Sequence, residues 1–337
     1  MMKKLATLSI LSLLFFAAHG GTALAKDINK NFHETFDVKQ GDSLRLRHGD
    51  GNVKLSTWDK DTIDVKVCYR ADIDAVGIRL GSKDDFNVEF RQTENTVYVT
   101  GRETSRGTIG FCNKKTYEYI YEISSPGYIR LDLDGDDGDV EISGWVAEID
   151  IRIDDGDITL WDISGDETTI MGEDGDIEIE NLGGDLTIEL DDGDVHLMAC
   201  DITRCRLEAN DGDITANKSK GSFDIAVDDA NVIMKEIAAE GLIIRSEDGD
   251  IDLDLLSSDT LDADIRTDDG DVTVDLEKGF SLSFHASADD VDYIRVDLDD
   301  IENYREDRVS KSGRLRDGAG RLKIRTADGD ITIKHRL

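Results

Sequence analysis

Carboxylates recur in this 337-residue sequence at a spacing suited to holding cations. Asp139, Asp157, Asp176, Asp194, Asp213, Asp250, Asp271 and Asp330 each follow a glycine, and Asn231 fills the same slot. A second series, Asp137, Asp155, Asp174, Asp192, Asp211, Asp229, Asp248, Asp269 and Asp328, precedes that position. Clustered carboxylates at turns are suitable oxygen ligands for Ca²⁺ or Mg²⁺. The same residues have a second possible chemistry, in which each carboxylate accepts backbone N–H bonds at its turn and stays solvated. One or the other is required. Like charges one strand spacing apart repel by about 0.9 kcal/mol in water and about 3.5 kcal/mol at an effective dielectric of 20. Asn231 in the series favours the turn-capping reading, because an amide caps as well as a carboxylate.

Other candidates for chemistry are sparser. Four cysteines in an exported chain suggest disulfides, and the expected pairs are Cys200 with Cys205 across a corner and Cys68 with Cys112. The alternative is that Cys200 and Cys205 are small core residues. His33, His48, His196, His285 and His335 show no ligand spacing, and no His pair near a cysteine suggests zinc. No nucleophile elbow, His-Glu-x-x-His or phosphate loop is present. Arg152, Arg204, Arg206, Arg245 and Arg266 could mimic the basic flank of a Ca²⁺-dependent polysaccharide lyase, but their positions form no obvious cluster.

The acidic residues belong to a repeat. The glycines Gly138, Gly156, Gly175, Gly193 and Gly212 are followed by Ala230 in the same slot, then Gly249, Gly270 and Gly329. From Gly138 to Gly249 the step is 18 or 19 residues. Such a period marks stacked repeats. Two and four residues after each glycine come apolar residues such as Ile158 and Leu160, and another, such as Ile151, stands five before it. Polar residues fill the places between. This period-2 alternation predicts two short strands per repeat, each with one buried face, joined by an Asp-Gly turn. A second corner is expected at Ser164-Gly165, Gly183-Gly184 and Glu240-Gly241. Stacking such units gives an all-β fold, a parallel β-solenoid of 18–19-residue coils with Asp-Gly-Asp turns. Its expected form is a right-handed single-stranded β-helix. The period leaves open whether each coil has two faces or three.

In chain order, residues 1–25 form a secretory signal: Lys3 and Lys4, an apolar run over 5–18, and the small-x-small site Ala23-Leu24-Ala25. Residues 26–125 are a less regular β segment that caps the stack, and 126–294 are the regular repeats. Residues 295–320, with Arg305, Arg308, Lys311, Arg314 and Arg316, form a charged insertion, read as a loop or short helix folding back on the acidic rod or as an anion-docking element. Residues 321–337 return as a final strand pair. No segment after the signal could span a membrane, so a soluble protein of the periplasm, cell surface or medium is expected. The formal net charge of −36 argues against nucleic acid as a partner.

These residues resemble a bacterial family of exported β-strand-repeat domains labelled "putative adhesin", whose function is unknown. The likeness rests on Ser56-Thr57-Trp58-Asp59 after Val53-Lys54-Leu55, on Ile123-Ser124-Ser125-Pro126, on the Gly-Asp-Ile units, and on the terminal Arg325 to Ile331 phrase. It implies the fold; with no catalytic motif in the chain, the leading expectation is a non-enzymatic envelope or surface interaction module, with an envelope protein or a glycan as partner and no resident cofactor. The outward residues Thr159, Glu178, His196, Thr215, Asp252 and Thr273 would form its polar display ladder. A Ca²⁺-binding acidic rod and a carbohydrate-active β-helix enzyme are the alternatives.

Overall fold

The computed structural model describes residues 24–76, 86–103, 111–258, 260–289 and 293–336, so all but the last two residues of the expected signal lie outside the described residues. Among the described residues there are strands and no helices. Each repeat places one strand before its Asp-Gly-Asp turn and one after it. Equivalent strands pair in parallel from one repeat to the next.

The strands that follow the turn form one sheet, here the downstream sheet. It runs through Val140–Ser143, Ile158–Ile163, Ile177–Asp192, Val195–Met198, Ile214–Asn217, Val232–Asp248, Ile251–Leu255, Val272–Leu276 and Ile331–His335. The strands that precede it form the upstream sheet, through Arg130–Asp137, Ile149–Asp155, Glu167–Asp174, Asp201–Asp211, Lys220–Asp229, Asp262–Asp269 and Gly320–Asp328. Ile177–Asp192 and Val232–Asp248 pass through the corner and serve both sheets. The buried apolar residues of both sheets form one core cluster.

The alternation dictates which atoms meet. Ile158 lies in register with Val140 on one side and Ile177 on the other, and Ile151 lies between Leu133 and Ile170. All six are buried. Burying each such side chain contributes about 1.5–3 kcal/mol. The turn glycine is held by geometry: Gly193 has φ 142°, and a Cβ there would stand 2.2 Å from the carbonyl oxygen of Gly175. Ala230 can replace it because the backbone there does not take a positive φ, while its N–H still donates to Asp248 O at 3.1 Å.

At the second corner the chain makes an additional turn earlier than expected. Asp162, Asn181, Ala199, Lys218 and Glu236 all take left-handed backbone angles, φ 51–58°. Only the first two are types that adopt that region readily.

Antiparallel strands close both sheets at the N-terminal end and the upstream sheet at the C-terminal end, where the downstream sheet stops on Ile294–Asp297, parallel to Ile331–His335. Leu24–Asp37 pairs with Thr62–Val76, which pairs with Phe111–Ser125, and that strand joins Asn52–Thr57 in parallel. In the other sheet Phe86–Gln92 pairs antiparallel with Thr96–Glu103, which joins Ser43–Asp50. At the far end, the segment expected as a loop or short helix is a β-hairpin instead. Ile301–Glu306 pairs with Ser310–Leu315, which pairs with Leu282–Ala288. Two of its basic residues pair with its own acids, Arg314 with Glu302 and Lys311 with Glu306.

Candidate functional site

The Asp series forms a ladder of hydrogen bonds between repeats. Asp139 Oδ1 accepts the Asp157 N–H at 3.3 Å, Asp157 that of Asp176 at 3.0 Å, and Asp176 that of Asp194 at 2.9 Å. Asp194 accepts from Asp213 at 2.8 Å, and Asp213 accepts both the backbone N–H and the Nδ2 of Asn231, at 3.1 and 2.9 Å. Asn231 Oδ1 then accepts from Asp250, Asp250 from Asp271, and Asp271 from Asp330, at 2.8–2.9 Å. Asn52 opens the ladder by accepting from Asp139, and Tyr293 closes it by donating to Asp330. Each carboxylate thus caps the turn of the next repeat, not its own. Among the described residues no three His, Cys, Asp or Glu side chains are grouped to hold a metal ion. In the neighbouring series, desolvation, followed by Asp211 and Asp174 on either side, raises the Asp192 carboxyl above the usual range.

The expected disulfides do not form. Cys68, Cys200 and Cys205 are free thiols. Cys200 Sγ points to backbone oxygen, 3.4 Å from Met198 O, and Cys205 occupies an inward column between Leu186 and Phe223. Both are core residues, and burial pushes the Cys205 thiol up to about 12. The Cys112 side chain lies outside the described residues, but strand register separates its backbone from Cys68. Cys68 stands opposite Ile120 and Cys112 opposite Ala75, seven residues along Thr62–Val76. At about 3.3 Å per residue that is far beyond the roughly 7 Å limit for bridging.

The display ladder of the downstream sheet is in register. Thr159, Glu178, His196, Thr215, Asp252, Thr273 and Thr332 occupy one outward column, with Ile233 as its apolar member. Beside it runs a second outward column, Trp161, Glu180, Met198 and Asn217. Together the two columns line a shallow depression of about 400 Å³. Met198 is 42 % exposed at its floor. An aromatic ring, a thioether and flanking Glu, His, Thr and Asn groups offer an apolar platform with polar partners around it. The reading of the sequence missed this second column. Its signal was a Trp and a Met at outward parity, two residues beyond the ladder position.

On the opposite sheet, Arg152, Arg204, Arg206, Arg245 and Arg266 do share one face, but acids and a thioether neutralise or occupy them. Arg204 pairs with Asp185, Arg245 with Asp224 at 2.8 Å and Arg266 with Asp264 at 2.8 Å, while Arg152 reaches Met171 Sδ at 3.0 Å. Further along that face Arg321 meets Asp262 at 2.7 Å. Such exposed pairs are screened by solvent and add little to stability.

His48 is a different case. It is buried, its Nδ1–H donates to Gly49 O at 2.9 Å, and its Nε2 has no hydrogen-bond partner. Burial outweighs Asp136 and Asp134 nearby and lowers its pKa below the ordinary value.

Charge is unevenly spread. Residues 126–292 hold 49 acidic and 10 basic side chains, 26–125 hold 17 and 16, and 293–337 hold 9 and 11. The surplus negative charge is confined to the shaft.

A family model described as Toastrack DUF4097 matches residues 25–220 and 183–334. No curated protein sequence matches the chain. Among solved structures, a "putative adhesin" from Bacteroides fragilis NCTC 9343 is 14% identical, with 73% of this chain and 97% of that chain covered and a TM-score of 0.39. Another "putative adhesin", from Parabacteroides distasonis ATCC 8503, is 11% identical over 91% of this chain and 97% of that one, TM-score 0.39. A "putative cell adhesion protein" from Clostridium sporogenes ATCC 15579 is 12% identical over 91% and 100%, TM-score 0.21.

Proposed function

The chain belongs to the Toastrack DUF4097 family, and from that premise we propose that it is a non-enzymatic, exported β-solenoid that binds an envelope protein or glycan. The stacked repeats form a right-handed rod in this reading, and the downstream sheet is its working face. The observation that carries the reading is the pair of in-register outward columns, in which Trp161 and Met198 lie among Glu178, Glu180, His196 and Asn217. A flat ladder repeated every strand spacing suits a partner that is itself extended, because each repeat offers the same donors and acceptors about 4.8 Å further on. An aromatic face with polar neighbours suits the alternating apolar and hydroxyl surfaces of a sugar chain.

The test is binding of the exported chain to a panel of defined bacterial glycans and purified peptidoglycan fragments, compared with Trp161→Ala and His196→Ala. The expected result is a ligand whose affinity falls about tenfold or more in either variant, as for loss of a central anchor. Binding indifferent to both substitutions would remove the downstream face from consideration. Release of cleaved glycan would move the protein to the carbohydrate-active enzymes.

A further inference from the structure

The two ends of the molecule treat their sheet edges differently. At the C-terminal end the downstream sheet stops on Ile294–Asp297, only 4 residues long, and the upstream sheet stops on Ile301–Glu306, which follows left-handed Asp300, contains left-handed Asn303 and slips register against its neighbour between Glu302 and Arg305. Edges this short, or bent in this way, are poor templates for another strand. At the N-terminal end Leu24–Asp37 keeps an unbroken register with Thr62–Val76 over 14 residues and, among the described residues, pairs with that strand alone. Such an edge leaves a row of backbone N–H and C=O groups for a partner.

The side chains on the inner face of this strand are Ile28, Lys30, Phe32, Glu34 and Phe36, opposite Ala71, Tyr69, Val67, Val65 and Ile63. An inward charge ordinarily guards an edge against pairing. Here two opposite charges stand at mirror positions about Phe32, and Lys30 Nζ, which donates to Phe86 O at 3.0 Å in its own copy, keeps further N–H donors for a second acceptor. Laid antiparallel on a second copy with Phe32 opposite Phe32, Lys30 faces Glu34 twice and Ile28 faces Phe36 twice. A slip of two residues destroys both matches. The guard becomes a register lock.

Two further observations point to the same occupant. Phe32 packs edge-on to Phe86 at 5.8 Å, and Phe36 lies 6.2 Å from Phe90 of the opposite sheet. Phe32 and Phe90 are only partly buried, so the core at this end is incompletely covered. The charge distribution also restricts where copies can meet. Shafts with 49 acids and 10 bases repel side by side, whereas the N-terminal region, with 17 and 16, does not.

We propose that a second copy of this chain docks on residues 26–37 of this strand, antiparallel and centred on Phe32, joining two rods end to end through a two-fold axis. A two-fold contact of this kind is self-complementary and closes, giving a dimer and not a filament.

The experiment is sedimentation equilibrium of the chain from Lys26 onward, alone and as E34K and K30E, with thermal unfolding of each to establish that it is folded. The expected result is a dimer for the parent chain and association weakened about tenfold or more in each variant alone, where like charges now face each other. Equimolar mixing of E34K with K30E should restore a dimer, because every 30–34 pair in the mixed species is again opposite in sign. A parent chain that is monomeric at about 0.1 mM, weaker than ordinary specific association, would overturn the proposal. So would a dimer indifferent to E34K, or folded variants that do not re-associate on mixing.

Discussion

Each residue of the Asp ladder makes a bond that an amide oxygen can make equally well, and Asn231 already does so. Asp194→Asn should therefore change stability little. Asp194→Ala, which leaves the Asp213 N–H without its acceptor, should cost about 1–2 kcal/mol. Thermal unfolding of the two variants checks this, and equal losses in both would point to ion ligation by the carboxylate. At this scale the sequence was legible in part. The spacing identified the Asp series and its turn-capping chemistry. It did not identify the recipient, because a carboxylate that caps its own turn and one that caps the next repeat require the same residue at the same step. Cysteine count misled for a related reason. Cys200 and Cys205 are five residues apart in sequence, yet alternation and the corner send both thiols into the core.

The strands themselves followed from alternation, since an inward Ile or Val every second residue forbids a one-residue slip, which would turn the whole apolar set outward. The second corner did not. It was expected at glycines, but the chain also turns at Ala199, Lys218 and Glu236, whose types carry no left-handed signal. Stacking overrides local preference there: once neighbouring repeats turn at Asp162 and Asn181, the next must follow or break the parallel ladder. The residual strain is measurable. Lys218, exposed at φ 51°, should gain about 1 kcal/mol of stability on replacement by glycine, which adopts that angle without a Cβ clash. Denaturant unfolding of Lys218→Gly gives the sign directly, and a loss would mean that its side chain makes contacts worth more than the strain. The basic hairpin near the C-terminus was hidden for the opposite reason. Its alternation is weak because both its faces are largely solvated, so periodicity had little to report.

For the molecule as a whole, repetition couples function to length. Every repeat adds one rung to the display ladder, one bond to the Asp ladder and one layer to the core. Repetition also stacks charge. The 167 residues from 126 to 292 carry a formal surplus of 39 negative charges. At about 4.8 Å per repeat they extend roughly 40 Å, about one charge per ångström, which exceeds the one per about 1.7 Å of duplex DNA. Such a shaft behaves in solution as a polyelectrolyte. It draws a dense sheath of small cations around itself, and that sheath thins when the chain unfolds and its charges spread apart. Melting temperature should accordingly climb with the logarithm of NaCl concentration, without any bound-ion site, and a flat response would show that the ion pairs on the upstream face already neutralise the field. A cationic partner approaching the rod would displace that sheath, and the released ions would contribute an entropic gain to its binding that fades as salt rises.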